Sequence, residues 1–256
     1  MSLSAKTQFH QHIEADGFRL RGLGFSRLDA FSDVIFGFAL TLLVVSLEVP
    51  KNYTEMRHML RGFFPFGICF LFLMMVWYAH YKFFRRFHLH DLTTIALNSL
   101  LLFVVMFYVY PLKFLFTFLT SGMGGNWSGF FETYHQLNEL MVMFGLGFAS
   151  IYLLIGMLYV NAYRQRAHLD LTEVERFLAR SYIVESLGVC GVGLLSCLAA
   201  WGLSSQTRGT SGYAGMVYWL IAPFKVFCRS YVRKKVAAIR ASEHLPPLDP
   251  ATAETI

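Results

Sequence analysis

Six apolar runs of about 20 residues divide this chain, near 28–49, 62–84, 93–119, 138–162, 180–203 and 212–233. A run of that length crosses the hydrocarbon core of a bilayer as a helix. Lipid offers no partner for backbone N–H and C=O groups, so a spanning segment must satisfy them internally. The composition agrees: 55% of the 256 residues are hydrophobic and only 15% are charged, against roughly 25% in a soluble domain. The expected fold is an all-α integral membrane protein with six transmembrane helices per subunit. The third run holds Pro111, where a helix is expected to kink, tilt or end early.

Lys and Arg set the expected orientation. The N-terminal segment, the second-to-third loop, the fourth-to-fifth loop and the C-terminal end together hold seventeen of the 22 basic residues. The positive-inside rule then puts both termini in the cytoplasm, as an even number of spans requires. The net charge of +6 is thus a topology signal, and no nucleic-acid partner is expected. Residues 1–26 read as a cytoplasmic segment without the apolar core of a cleavable signal. Residues 27–236 read as the membrane domain, and 237–256, with Pro246, Pro247 and Pro250, as a disordered cytoplasmic tail. Thr172-Glu-Val-Glu175 fits a helix capping box ahead of the fifth run. Gly145, Ala149, Gly188, Gly191 and Gly193, in the fourth and fifth runs, suit close helix packing.

The first run carries the clearest chemistry. Arg27, Asp29 and Asp33 stand at its mouth, and ionisable groups at membrane depth face a bundle interior or an aqueous path. On a helical wheel, Phe38, Leu42 and Val45 fall on one stripe about 60° wide, with Thr41 at its edge. Ser32 and Asp33 lie roughly 120° from the centre of that stripe. One face is therefore free to line a path while the other bonds into the subunit. On spacing alone, the stripe reads as ordinary packing or a lipid face. Further polar groups converge on the same half of the membrane: Trp77 and His80 late in the second run, and Asn98 early in the third. An unpaired buried polar group costs about 1–3 kcal/mol. A network shared among Arg27, Ser32, Asp33, His80 and Asn98 is the simplest expectation.

The motif Arg27-x-x-x-Phe31-Ser32-Asp33, followed by the apolar run to Glu48, resembles the first transmembrane helix of the transmembrane protein 175 family of potassium channels. Members are lysosomal in animals, with two six-span repeats, and occur as single-repeat forms in bacteria. Trp77-x-x-His80, Asp91, Leu97-Asn98 and Pro111 resemble the second and third spans of the same family. The motif-level resemblance covers about 27–111 and is hydropathic beyond. It implies a homotetramer with the first helix of each subunit lining a central pore. It implies rings of bulky side chains at Phe38, Leu42 and Val45, a hydroxyl ring at Thr41, and histidine and asparagine bracing the first-helix motif. It shifts the stripe from packing to pore lining. Narrow apolar rings gate by dewetting. The family has a small residue after the aspartate and an aliphatic one five positions after it. This chain has Val34 and Phe38 there.

The expected activity is potassium-selective conduction through the cell membrane, with proton permeability as a second activity implied by the resemblance. The rival is a proton-coupled secondary transporter using Glu185, His80 and Asp33 as carriers. No enzyme signature, cofactor or resident metal is expected: no Walker, Gly-x-Ser-x-Gly or His-Glu-x-x-His pattern occurs. The pairs His10-x-His12 and His88-x-His90, each with one carboxylate nearby (Glu14 and Asp91), are too weak a signal for metal and read as interfacial histidines. Cys69, Cys190, Cys197 and Cys228 fall in apolar runs and read as small hydrophobes. Glu48 is either an outer-vestibule carboxylate or an exposed interfacial one. Thr210-Ser-Gly-Tyr-Ala214 sits in too short a loop to form a carbonyl filter.

Overall fold

The computed structural model describes residues 14, 16–24, 26–45, 51–122, 130–131, 134–203 and 213–242. Glu48, His10, His12, residues 123–129 and 132–133 of the 120–137 loop, Thr210 to Gly212 and the chain beyond 242 lie outside the described residues.

The described chain is a helical bundle: α1 (Arg27–Val45), α2 (Tyr53–Arg61), α3 (Phe63–Phe87), α4 (Leu92–Gly122), α5 (Tyr134–Arg164) and α6 (Glu173–Leu203). A one-turn α7 (Tyr213–Met216), a 3-10 turn (Val217–Leu220) and α8 (Ile221–Ser242) follow. Five of these helices, α1, α3, α4, α5 and α6, are long and apolar enough to cross a membrane. The sixth expected run is built differently. Its helix changes pitch through the 3-10 turn, and α8 carries Lys225, Arg229, Arg233, Lys234, Lys235 and Arg240. That charge removes it from the group of strongly apolar spans. α4 runs through Pro111 without a break.

Helix starts follow from short polar signals. Ser26 and Asp29 cap α1 reciprocally: the Asp29 N–H donates to Ser26 Oγ at 3.0 Å, and the Ser26 N–H donates to Asp29 Oδ2 at 3.4 Å. Thr172 and Glu175 do the same for α6 at 3.0 and 3.3 Å, so the expected capping box is present. The short α2 was not foreseen, although Asn52 caps it by accepting the Glu55 N–H at 2.9 Å. Asp91 caps α4 by accepting the Thr94 N–H at 3.3 Å.

Side-chain contacts give the helix directions. The start of α1 meets the end of α3 and the start of α4. The end of α5 meets the start of α4 through Asn161 and Asp91. The N-terminal segment bonds to the start of α6. Successive long helices therefore alternate in direction, and these five ends gather at one end of the bundle. α8 runs back along α6, with Tyr231 against Phe177, so its C-terminal half reaches that same end.

The α5–α6 contact is set by absent side chains. A Cβ at Gly145 would stand 2.5 Å from Cys197 Sγ and 3.0 Å from the Gly193 carbonyl. A Cβ at Gly193 would meet Ala149 Cβ at 3.1 Å. The expectation for Gly145, Ala149 and Gly193 therefore holds. It holds for Gly188 as well, which receives the Phe224 ring of α8, whereas Gly191 faces open space. Cys69, Cys190 and Cys197 are buried and Cys228 is half-buried.

Candidate functional site

The polar groups at the mouth of α1 sort into two sets. Asn98 on α4 donates from Nδ2 to Ser32 Oγ at 2.9 Å, and its Oδ1 lies 2.7 Å from His80 Nε2 on α3. All three residues are buried. Ser32 Oγ in turn donates to the Leu28 carbonyl at 2.8 Å. Asn98 thus joins three helices through one amide. Its carbonyl oxygen faces the imidazole and its NH2 faces the hydroxyl. The second set is one contact: Trp77 Nε1 donates to Asp33 Oδ1 at 2.8 Å. Asp33 and Phe31 are exposed on the single subunit. Arg27 is exposed as well and has no hydrogen bond or ion pair among the described residues. A single network including Arg27 is therefore not what forms. Position on the helix explains this: Arg27 is the first residue of α1, a full turn before Ser32.

These bonds fix the rotation of α1. Ser32, Phe36, Ala39 and Leu43 are its buried residues, with the three- and four-residue spacing of one helix face. The opposite face carries the expected stripe. Phe38 is 51% exposed and Val45 77% exposed, Thr41 is exposed and Leu42 half-buried. The subunit therefore leaves Phe38, Thr41 and Val45 uncovered. Val34, at 68% exposed, continues the same face toward the mouth. The Thr41 hydroxyl donates to the Phe38 carbonyl at 2.7 Å. Its proton is thereby held along the helix, and its oxygen lone pairs remain available.

A cavity of about 120 Å³ lies behind this mouth. Gly22, Gly24, Asp29, Asp33, His80 and Arg85 are among its walls. Asp29 Oδ1 and His80 Nδ1 are buried without a hydrogen-bond partner among the described residues. A space of that size, with such polar atoms on its wall, accommodates water. Glu185 lies in a different cavity and pairs with Lys225 at 3.5 Å. The three carriers that a proton-coupled transporter would use thus do not share one cavity.

Sequence reasoning missed a clasp at this same end. The segment 16–24 runs beside the end of α3, where the Arg21 and Gly22 N–H groups donate to the Arg85 carbonyl at 3.1 and 2.9 Å. A Cβ at Gly22 would stand 2.7 Å from the Phe84 carbonyl, so the close approach requires glycine. Arg86, fully buried, is paired with Glu14 and Asp16, and its guanidinium lies 4.8 Å from the centres of the Phe18 and Tyr182 rings. Arg19 and Arg21 both grip Glu175, at 2.8 and 3.0 Å. The hydrogen bond that it donates to Glu175 is the main reason that the Arg19 guanidinium sits above its usual pKa. Asp91 is anchored too. Burial opposes its charge, but hydrogen bonds from Thr94, Asn161 and Gln165 outweigh that and hold its carboxyl at about 2. The available signal is the mix of Arg and acidic residues in the N-terminal segment, of which orientation uses only the basic ones.

Comparison with known proteins bears on the same residues. The family described as endosomal/lysosomal potassium channel TMEM175 matches residues 27–108, the stretch that holds Ser32, Asp33, Trp77, His80 and Asn98. A protein of Marivirga tractuosa named as a potassium channel is 38% identical over 230 residues, covering 85% of this chain and 92% of the relative. A Chamaesiphon minutus protein, also named as a potassium channel, is 28% identical over 101 residues, or 36% of this chain and 50% of the relative. Among solved structures, a variant of the potassium channel MtTMEM175 bound to a nanobody–MBP fusion superposes with a TM-score of 0.76 at 37% identity. It covers 85% of this chain and 97% of the other. A TMEM175 homologue from Chamaesiphon minutus superposes at 0.51 with 20% identity, over 79% and 96% of the two chains, and shares the fold.

Proposed function

Because this chain belongs to the TMEM175 family, we propose that it is a potassium-selective cation channel in which four copies surround one axis and turn the uncovered stripe of α1 toward it. The carrying observation is the rotation of α1. Asn98, His80 and Ser32 hold one face inward, and Phe38, Leu42, Thr41 and Val45 stand on the other. Both termini lie in the cytoplasm, α7 to α8 makes the sixth crossing, and the membrane is the plasma membrane. Residues 1–26 and 237–256 flank the channel domain on the cytoplasmic side.

In this reading Phe38, Leu42 and Val45 of each copy form apolar rings that dewet when narrow and so stop ions without a plug. Thr41 supplies oxygen lone pairs to a partly dehydrated cation, since its hydroxyl proton is committed to the Phe38 carbonyl. Phe38 makes the ring nearest the mouth bulkier than an aliphatic residue would. Proton permeation follows the same wetted path as a secondary activity. The relatives named as potassium channels support the choice of ion.

Reconstitution into liposomes under a potassium gradient tests this. Unitary potassium currents without any coupled substrate gradient, reduced by Phe38→Trp, are the expected result. Transport that requires an opposing proton gradient and shows no unitary events would contradict it and favour the transporter.

A further inference from the structure

A second cavity, about 280 Å³, opens between α3, α5, α6 and α8. It exists because α8 rests on α6 and leaves a gap toward α3 and α5. Its chemistry is uneven in a specific way. Lys82 of α3 and Lys225 and Arg229 of α8 line it, with Glu185 of α6 as the one carboxylate. Glu185 is matched by Lys225 at 3.5 Å. Lys82 and Arg229 have no carboxylate partner among the described residues. Lys82 Nζ lies 5.2 Å from the centre of the Tyr182 ring, so its ammonium is held over an aromatic face. Ser181 and Ser186 add hydroxyls to the wall, while Met75 and Val189 supply apolar surface.

We propose that this cavity binds the phosphate headgroup of an anionic phospholipid. Two cations without an acidic partner, lining one cavity beside the Ser186 hydroxyl, fit a phosphodiester. Basic pockets between transmembrane helices are where acidic lipid headgroups bind. The apolar side of the cavity gives the acyl chains a surface to follow along α3 and α6. The helix ends nearest the cavity are those that carry the Arg86 and Glu175 clasps, so the headgroup enters from that end of the bundle. The bound lipid would wedge α8 against α6 and stiffen a helix that has few other supports. The inference rests on the bundle's spanning a membrane and is independent of which ion it conducts.

Native mass spectrometry of the intact detergent-solubilised oligomer, loaded with equal phosphatidylglycerol and phosphatidylcholine, tests it. Wild-type protein should retain phosphatidylglycerol at about one lipid per subunit and discriminate against phosphatidylcholine. The double variant Lys82→Gln with Arg229→Gln should lose about 30-fold in that preference, each basic group contributing about fivefold. The variant leaves the Glu185–Lys225 pair intact, and unchanged oligomer mass and thermal melting show that it is folded. A control that neutralises Arg233, Lys234 and Lys235 should keep the preference. Equal retention of both lipids by the wild type would overturn the proposal, as would an unchanged preference in the double variant. Inorganic phosphate serves as the second probe. If millimolar phosphate alone raises the melting temperature as much as phosphatidylglycerol does, the site belongs to a free anion and the lipid assignment fails.

Discussion

The two halves of the bundle are held together by different physics. Around α1, α3 and α4 the contacts are directional. One asparagine joins a serine and a histidine from two other helices, an indole N–H holds a carboxylate, and a buried arginine ties the N-terminal segment to α3. Between α5 and α6 the contact is chiefly one of shape, in which Gly145, Ala149 and Gly193 let backbones approach, with an exposed Arg180–Tyr163 hydrogen bond at one end. Directional bonds specify a rotation, because a helix turned by a fraction of its period loses them. Shape contacts specify a distance. The half in which the rotation of α1 is fixed uses the first kind, and the half packed against it uses the second.

Substitutions in the two halves should therefore separate. The largest effect is expected from Arg86→Leu, which leaves Asp16 and Glu14 without their cation. Breaking a buried pair of this kind costs about 3–5 kcal/mol. Hydrogen exchange should show loss of protection across 16–24 while α5 and α6 stay protected. Loss spread evenly over both halves would mean that the division is not real. Asn98→Leu comes next. It leaves the His80 ring without a partner, at about 1–3 kcal/mol, and leaves Ser32 only its bond to the Leu28 carbonyl, so it should both lower the melting temperature and alter the current, because α1 is then free to rotate.

Gly193→Val tests the other half. Its side chain meets Ala149 and the Gly145 carbonyl, so overpacking should cost about 1–3 kcal/mol. Ion selectivity in the surviving channels should be unchanged, and a changed selectivity would show that the supporting half also sets the pore. Asp33→Asn is expected to cost about 1 kcal/mol, since a neutral acceptor replaces a charged one for Trp77, and to change opening more than stability. Unchanged currents together with unchanged melting would remove Asp33 from the mechanism.

The smallest effect is a pH dependence. Asp91 has its folded carboxyl at about 2 against a usual 3.8, so it stabilises the folded form above pH 4 and loses that contribution as pH falls toward 2. The difference in melting temperature between wild type and Asp91→Asn should be flat from pH 7 to 5 and shrink below pH 4. For a half-buried group it corresponds to less than about 1 kcal/mol.

Much of the directional half was legible in the sequence, for a physical reason. Ser32, His80 and Asn98 are polar residues in apolar runs, and burial leaves them little choice but one another. The stripe through Phe38, Leu42 and Val45 was legible because a helix has one period. What was not legible depends on contacts between distant segments. Glu175 was read as half of a capping box, which it is, but its grip on Arg19 and Arg21 lies more than 150 residues away in sequence. Arg86 was read as a charge for orientation, and nothing in its neighbours announces Glu14 and Asp16. The last run was read as a span like the others. Hydropathy averaged over it does not reveal that the helix changes pitch at Val217–Leu220 or that its basic residues load the longer part. Proximity in sequence puts Arg27 in the polar network, but its position at the first turn of α1 keeps it outside.

Cysteine accessibility along α1, in protein whose Cys69, Cys190, Cys197 and Cys228 are replaced by alanine, tests the rotation of this helix most directly. Charged thiol reagents should block potassium current through Phe38→Cys, Leu42→Cys and Val45→Cys. They should leave Ser32→Cys and Phe36→Cys unmodified. Block at 32 and 36 with none at 38, 42 and 45 would put the opposite face of α1 toward the ions.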